Sequence, residues 1–179
     1  EMTSSLVGSE MCIRDSGEGV RVSLFVSGCT HHCKECFNKE AWDFHYGNPF
    51  TQKEIDRILE YLKPNYIAGL SLLGGEPMEP VNQEGILPLL RVVKQTYPEK
   101  NIWCYTGYLF DKDVLDKMCK ESEVTKEIVS YLDIVVDGEF MIDRKNLKIN
   151  FRGSDNQRII DVKKTLDAGE IVHWEREIQ

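Results

Sequence analysis

Three cysteines lie close together in the stretch SGCTHHCKECFNKEAW, residues 27–42: Cys29, Cys33 and Cys36. Thiolates select zinc or iron–sulfur clusters over harder metal ions. A structural zinc site is closed by four protein ligands, whereas a four-iron cluster usually takes one thiolate per iron. This stretch holds no fourth cysteine. Three thiolates would therefore leave one iron of such a cluster open to a substrate.

Two metal chemistries remain open at this motif. His31, His32 or His45 could complete a Cys3His zinc site, which would make the chain a zinc-binding interaction module. Structural zinc ligands usually come as two pairs, and the chain has no second pair, so the spacing favours an iron–sulfur cluster. Cys104 and Cys119 fall in a predicted strand and a predicted helix, where we expect them to be buried as small apolar residues.

The rest of the chain alternates between strand-like and helix-like patterns. The predicted strands cover 20–28, 66–75, 101–107 and 131–138, with weaker candidates at 147–151 and 158–162. The predicted helices cover 51–62, 84–97 and 111–120, with Pro88 tolerable only near a first turn. Strands that alternate with helices predict an α/β fold with a mostly parallel sheet and right-handed crossovers.

The unusual loops of the chain each follow one of these strands. The cysteines follow the first strand, GGEP (74–77) the second, YTGY (105–108) the third and VDG (136–138) the fourth. In parallel α/β folds, ligands bind beyond the carboxyl ends of the strands. The sequence therefore predicts that all four loops lie on one rim and form one site.

Length, charge and hydropathy limit the function classes. The chain has 179 residues, which suits a single domain. No apolar run approaches the roughly 20 residues that span a bilayer, and no signal segment opens the chain, so we expect a cytoplasmic protein without membrane contact. A net charge of -8 argues against a nucleic-acid partner. Between Arg144 and Lys164, seven basic residues accompany two acidic ones, which indicates either a solvated face or a site for an anion or a protein partner.

The first residues differ in character from the rest. The stretch SSLVGSEMCIRDS has no sustained period and resembles a translated sequencing-adapter fragment. We therefore interpret residues 1–16 as a non-native segment outside the fold, and 17–179 as the single domain.

The three-cysteine motif and the GGEP motif together resemble those of the radical S-adenosylmethionine enzymes. In that superfamily, three cysteines hold the cluster and a GGEP-like motif holds the methionine amino group. The stretches LFVSGC, CFNKEAW, YTGY, VDGEF and FRGSDNQRIIDV are together similar to the activating proteins of anaerobic ribonucleoside-triphosphate reductases, over residues 17 to 165. Glu35 stands where many members of the superfamily have an aromatic residue before the third cysteine.

The resemblance implies a fold, a reaction and partners. The fold would be a partial (βα) barrel. Cys29, Cys33 and Cys36 would hold a [4Fe-4S] cluster that reductively cleaves S-adenosyl-L-methionine. The 5′-deoxyadenosyl radical so formed would take a hydrogen atom from a glycine on the large subunit of the reductase. A low-potential donor such as a flavodoxin would supply the electron.

Further residues are predicted to contact the cofactor. Backbone groups of Gly74, Gly75 and Glu76 would accept the amino hydrogens of S-adenosylmethionine, and Pro77 would stiffen their turn. Asp137 follows the fourth strand and could bind a ribose or a cation. A polar cluster near the end of the chain suits a carboxylate, a ribose or the partner chain; it comprises Arg152, Ser154, Asn156 and Arg158.

One alternative within the same superfamily remains open. The chain could activate another glycyl-radical enzyme, such as one of the formate-lyase type. Against this alternative, the chain is short and has no room for an eight-cysteine ferredoxin-like insert.

Overall fold

The computed structural model describes residues 2–7 and 17–175, which form a seven-stranded sheet with helices. Its strands are β1 (Thr3–Val7), β2 (Val20–Val26), β3 (Asn48–Pro49), β4 (Ile67–Gly74), β5 (Asn101–Thr106), β6 (Ile134–Asp137) and β7 (Arg158–Asp161). Their order in the sheet is β3-β1-β2-β4-β5-β6-β7. The neighbouring strands β2, β4, β5 and β6 run parallel, and the outer strands are antiparallel. The predicted α/β fold with a parallel sheet at its centre is confirmed.

Helices lie in the connections between the parallel strands, and a further helix follows β7. They are α1 (Gln52–Leu62), α2 (Pro80–Thr96), α3 (Cys119–Glu121), α4 (Glu123–Tyr131) and α5 (Val162–Ala168), and a π-helical segment, Phe110–Met118, leads into α3. At the start of α1, the Thr51 N–H donates to the Glu54 carboxylate at 3.0 Å, as in a capping box. In the described part of the chain, no helix combines the length and the apolarity that crossing a membrane requires.

The second helix begins earlier than its sequence pattern indicates. It begins at Pro80, whose fixed φ suits the first position of a helix. Pro88 therefore lies in the helix interior, and the prediction that it belongs near the first turn is wrong. An interior proline removes one backbone hydrogen bond. Burial of Leu89, Leu90 and Val93 in the core offsets this cost.

Other differences concern the last third of the chain. The helices α4 and α5 were not predicted from periodicity, and residues 147–151 form turns rather than a strand. Phe151 has a φ of 60°, in the left-handed region, which ends any extended run there. The weak candidate at 158–162 does form β7 over most of its length.

The two faces of the sheet bury different sets of residues, because side chains alternate along a strand. The helices pack on one face, against strand residues that include Val22, Leu24, Leu70, Leu72, Ile102, Cys104, Val135 and Ile160. The other face carries a smaller cluster that contains no helical residue: Trp103, Ile134, Val136 and Phe151, with Tyr105, Ile159 and Trp174 packed against it. Cys104 and Cys119 are buried on the helical side, as predicted.

Residues 2–7 take part in the sheet, which differs from the expectation that residues 1–16 lie outside the fold. Strand β1 pairs antiparallel with β2, and Met2 is 5% exposed and packs beside Gly85. An open sheet edge presents unpaired main-chain donors and acceptors. An extended segment can form hydrogen bonds with them whatever side chains it carries. Residues 8–16, including Cys12, are outside the described residues. A non-native origin of the segment stays a prediction.

Candidate functional site

Four loops follow the carboxyl ends of the parallel strands, and together they form what we call the carboxyl rim. They are residues 27–47 after β2, 75–79 after β4, 107–109 after β5 and 138–141 after β6. The sequence prediction that the unusual loops share one rim is confirmed by the parallel pairing of these strands.

The cysteine loop folds back on itself. Its start is held by two main-chain bonds, from Gly28 N to Ala41 O at 2.8 Å and from Cys29 N to Trp42 O at 3.3 Å. Cys29 is only 8% exposed at the base of the loop. A turn farther along brings the Cys36 N–H within 3.1 Å of the carbonyl of Cys33, and both of these residues are half-buried.

Burial perturbs two of the thiols in this loop. Burial raises the pKa of Cys29 to about 11, and it also raises the pKa of Cys33. Both groups are therefore neutral thiols near pH 7 in the metal-free chain, and a metal must displace their protons on binding.

The histidines of this loop make other contacts. The ring of His32 lies 4.6 Å from that of Trp42, the side chain of His45 is 94% exposed, and His31 bonds to two carboxylates. Across residues 2–7 and 17–175, no three His, Cys, Asp or Glu side chains converge on a point where one metal ion could bind. A Cys3His zinc site therefore has no support in the geometry, whereas a four-iron cluster needs no such point because each thiolate binds its own iron.

The glycine-rich loop packs directly against the cysteine loop. Gly75 N donates to Val26 O at 2.7 Å, and Glu76 N donates to Gly28 O at 2.8 Å. Gly74 has a φ of 114°, which side chains rarely tolerate, and a Cβ on Gly75 would lie 2.5 Å from the Gly28 carbonyl oxygen. Gly74 therefore requires glycine for its backbone conformation, and Gly75 requires it so that the two loops can approach each other, reasons that the motif alone did not reveal.

The side chain of Glu76 joins three loops. It is 1% exposed, and its Oε1 accepts the Met78 N–H at 2.8 Å within its own loop. Its Oε2 accepts the Gly107 N–H at 2.7 Å from the loop after β5 and lies 3.0 Å from His31 Nε2 in the cysteine loop. Through these contacts, the Glu76 carboxylate holds three of the rim loops together.

A second buried carboxylate, Glu79, was not singled out from the sequence. It is 6% exposed, and its Oε1 accepts hydrogen bonds from Thr30 N at 3.0 Å and from Thr30 Oγ1 at 2.5 Å. The Tyr108 hydroxyl lies 3.4 Å from the same oxygen. The only sequence signal was a second acidic residue shortly after GGEP, which is too weak to assign a role.

His31 also reaches the loop after β6. Its Nδ1 lies 3.1 Å from Glu139 Oε1, and its ring packs edge-on against Tyr108 with the ring centres 4.4 Å apart. Burial acts to lower the pKa of His31, but the hydrogen bonds to Glu76 and Glu139 outweigh it and leave the pKa above its ordinary value. All four rim loops are therefore linked around this imidazole.

Three of the predicted cofactor contacts have partners within the protein. Asp137 is fully buried, and Arg158 Nε donates to its Oδ1 at 2.9 Å while Phe110 N donates to its Oδ2 at 2.7 Å. Arg158 also bonds to Asp111 at 2.8 Å, and this bond lowers the pKa of Asp111. The buried hydroxyl of Ser154 accepts a main-chain N–H from the loop after β6. These groups hold the loops in place, and their direct contact with a cofactor stays a prediction.

Arg152 and Asn156 differ from those three. Arg152 Nη1 donates to Gln157 O at 3.1 Å, and Asn156 Nδ2 donates to Glu139 O at 2.8 Å. Among the described side chains, however, Arg152 Nε and Asn156 Oδ1 are buried polar atoms without a hydrogen-bond partner. Buried polar atoms are nearly always bonded, and the contact of these two with a cofactor stays a prediction.

The basic stretch from 144 to 164 is largely neutralised. Four of its seven basic residues form ion pairs: Arg144 with Asp155, Arg158 with Asp111 and Asp137, Lys163 with Asp133, and Lys164 with Asp161. Lys145 and Lys148 are exposed.

Comparison with known proteins places this site in a class. The family model described as "4Fe-4S single cluster domain" matches residues 16–160. The chain is 40% identical over 146 residues to the anaerobic ribonucleoside-triphosphate reductase-activating protein of Pasteurella multocida, which is 80% of this chain and 89% of that protein. It is 42% identical over 146 residues to the protein of that name from Enterobacteria phage T4, which is 80% of this chain and 85% of that protein. It is 38% identical over 144 residues to the protein of that name from Escherichia coli K12, which is 79% of this chain and 88% of that protein.

The chain belongs to the 4Fe-4S single cluster domain family and, within it, to the anaerobic ribonucleoside-triphosphate reductase-activating proteins. The resemblance that the sequence motifs indicated is thereby confirmed. No solved structure gives a significant match to this chain.

Proposed function

We propose that this chain activates an anaerobic ribonucleoside-triphosphate reductase by generating a radical on a glycine of its large subunit. The observation that carries the proposal is the direct packing of a three-cysteine loop against a GGEP loop, in a chain of this family. The matching relatives are named as activators of that reductase, which favours it over a formate-lyase.

The donor set fits a four-iron cluster with one open iron. Cys29, Cys33 and Cys36 would hold it, the first from the buried base of the loop and the others nearer its surface. When bound and reduced, the cluster would supply one electron to S-adenosyl-L-methionine, whose cleavage would give methionine and a 5′-deoxyadenosyl radical. Transfer of a hydrogen atom from the target glycine to that radical would give 5′-deoxyadenosine and the glycyl radical.

The glycine-rich loop would hold the methionine end of S-adenosylmethionine. Because the Glu76 carboxylate already has three partners, main-chain carbonyl groups of Gly74, Gly75 and Glu76 would hold the amino group rather than that side chain. Of these, the Glu76 carbonyl already accepts Glu79 N at 3.2 Å and Asn82 Nδ2 at 2.9 Å. Pro77 is buried and restricts the turn that carries them.

The late polar cluster would bind the rest of that molecule. Arg152 Nε is a free donor and Asn156 Oδ1 a free acceptor. Ribose hydroxyls, which donate and accept, would satisfy both, whereas a carboxylate would satisfy Arg152 Nε alone. Asp137, Ser154 and Arg158 would support them from behind through the contacts described above.

We further propose that the sheet curves into a partial (βα) barrel, with S-adenosylmethionine on the face opposite the helices. The helices pack on the other face, and Arg152, whose Nε lacks a partner, directly follows Phe151 of the aromatic cluster on this face; both observations support this placement. A low-potential protein such as a flavodoxin would donate the electron in the cytoplasm, a reducing compartment that suits the free thiols of Cys104 and Cys119.

The test combines the reconstituted protein with the reductase, a reductant and S-adenosylmethionine under anaerobic conditions. We expect a glycyl-radical doublet in the paramagnetic resonance spectrum and 5′-deoxyadenosine in parallel. A parallel reaction contains a formate-lyase instead of the reductase. A radical on the formate-lyase and none on the reductase would refute the substrate assignment while leaving the chemistry intact.

A further inference from the structure

The segment between the first two cysteines of the motif is held from outside its own loop. Thr30 follows Cys29 directly, and both its N–H and its hydroxyl donate to Glu79 Oε1. His31 comes next and bonds to Glu76 Oε2 at 3.0 Å. The carboxylates of Glu79, at the start of α2, and of Glu76, in the loop before it, thus fix the path of the chain as it leaves Cys29.

Apolar packing does not fix this segment. Thr30 is exposed, so no neighbouring core determines the direction of its side chain. Glu79 is 6% exposed, and a carboxylate removed from water needs strong donors. The two Thr30 donors meet that need, which makes the contact directional and specific.

The Glu79 carboxylate has no role within its own helix that would explain its position. Glu79 is the N-cap residue of α2, but its side chain accepts no capping bond there, and only its backbone carbonyl receives Asn82 N and Gln83 N, each at 2.9 Å. Its side chain instead extends to the cysteine loop and approaches the Tyr108 hydroxyl at 3.4 Å. A helix of 17 residues provides a rigid base for this contact.

We propose that Glu79 is a positioning residue for the iron–sulfur cluster. By holding Thr30, it sets the direction in which the chain leaves Cys29 and therefore the distance from that thiolate to those of Cys33 and Cys36. The role rests on the proposed cluster site, and it concerns the retention of the cluster rather than the radical chemistry.

The test measures the rate at which reconstituted protein loses iron to a chelator, without reductase or S-adenosylmethionine. Glu79→Ala should lose iron about ten- to a hundredfold faster than the unchanged protein, the usual effect of removing a partner from outside the ligand set. Glu79→Gln keeps an acceptor oxygen in the same place and should restore most of the retention. Glu84→Ala, on the exposed side of the same helix, should behave as the unchanged protein.

A double variant tests the pathway of the effect. Because Thr30→Val removes the hydroxyl partner of Glu79, the variant Thr30→Val/Glu79→Ala should lose iron no faster than Glu79→Ala alone. Thermal unfolding of the metal-free variants and the paramagnetic resonance spectrum of the reduced cluster serve as second readouts. We expect unchanged unfolding and an altered spectrum for Glu79→Ala.

Distinct outcomes would overturn the role. One is loss of iron from Glu79→Ala at the rate of the unchanged protein. The other is faster loss from Glu79→Ala together with a less stable metal-free chain, when Glu79→Gln does not restore the retention of iron. An unchanged protein that binds no iron would instead refute the proposed function itself, and the role of Glu79 with it.

Discussion

The two ends of the parallel strands are built on different principles. At the carboxyl rim, loops are held to one another by directional hydrogen bonds to the buried carboxylates Glu76 and Glu79. At the amino end, by contrast, the non-helical face of the sheet is closed by packed aromatic rings and a buried cation. The rings of Phe151 and Trp174 each lie 5.3 Å from that of Trp103.

The buried cation at the amino end is Arg21. It is 7% exposed, its Nε donates to Ser71 Oγ at 2.8 Å and its Nη1 to Asn101 Oδ1 at 2.5 Å, and it lies 5.4 Å from the centre of the Trp103 ring. Burial lowers its pKa to about 10, which still leaves it charged near neutral pH. Hydrogen bonds and a ring face thus compensate the loss of solvation.

We infer from this difference that the amino end carries stability, whereas the proposed cofactor site lies at the other end. Packing at the amino end does not depend on a cofactor, so it can hold the sheet in the metal-free chain. In the polar cluster beside the carboxyl rim, Arg152 Nε and Asn156 Oδ1 lack a partner within the described protein, and the proposed cofactor would supply one. Changes at the two ends should therefore separate into two phenotypes.

The largest expected effect is at the rim. Cys29→Ala, Cys33→Ala or Cys36→Ala should reduce the iron content of reconstituted protein from about four per chain to nearly none. Cys104→Ala and Cys119→Ala, which change buried core residues, are the matched controls and should retain the iron. Iron retained without Cys33 but lost without Cys104 would show that the ligand assignment is wrong.

At the amino end, Trp103→Ala should lower the free energy of unfolding by about 3–5 kcal/mol, because it empties the centre of the aromatic cluster. The folded fraction of the variant should still bind iron. The control is Trp42→Ala at the rim, where the residue is only half-buried. It should lower the free energy of unfolding by less than Trp103→Ala does. Denaturant titration measures both, and equal costs would contradict the comparison.

The third expectation concerns residues 2–7. Met2→Ala should lower the free energy of unfolding by about 2 kcal/mol, the lower range for a buried methionine. Met141→Ala, at an exposed residue, should have little effect. If neither change alters the denaturation midpoint, the burial of Met2 contributes no stability, and the interpretation of residues 1–16 as foreign to the fold would gain support.

The smallest effect is a pH dependence near the amino end. Burial acts to raise the pKa of Asp133, but hydrogen bonds from Lys94 Nζ and Ile102 N, both at 2.8 Å, outweigh it and lower the pKa. The stability from this carboxylate is therefore complete above its unfolded-state pKa of about 3.9 and is lost as the pH falls through the lower folded-state value.

Asp133→Asn should consequently flatten the decrease in unfolding free energy below about pH 4. Urea titrations at a series of pH values measure this slope. Asp143→Asn, at an exposed position, is the control and should keep the slope of the unchanged protein. Identical slopes for the two variants would show that Asp133 does not contribute to the pH dependence of the unfolding free energy.

Much of the fold followed from the sequence alone, and so did the prediction of the metal ligands. Strands β2, β4, β5 and β6 were predicted because buried parallel strands are short apolar runs, a local property. The ligand set of Cys29, Cys33 and Cys36 was predicted because thiolate chemistry and close spacing are also local. The positions of α4 and α5, by contrast, depend on packing that their sequence periods did not reveal.

The tertiary structure alone decided how the rim is held together. Glu79 and Thr30 are separated by 49 positions, and Arg158 and Asp137 by 21, so no local pattern pairs them. Their contacts exist because parallel strands bring successive loops to the same edge of the sheet, where a buried carboxylate must find donors from whichever loop is nearest. Sequence specified which groups could bind a cluster, and the meeting of distant loops determined which groups hold them in place.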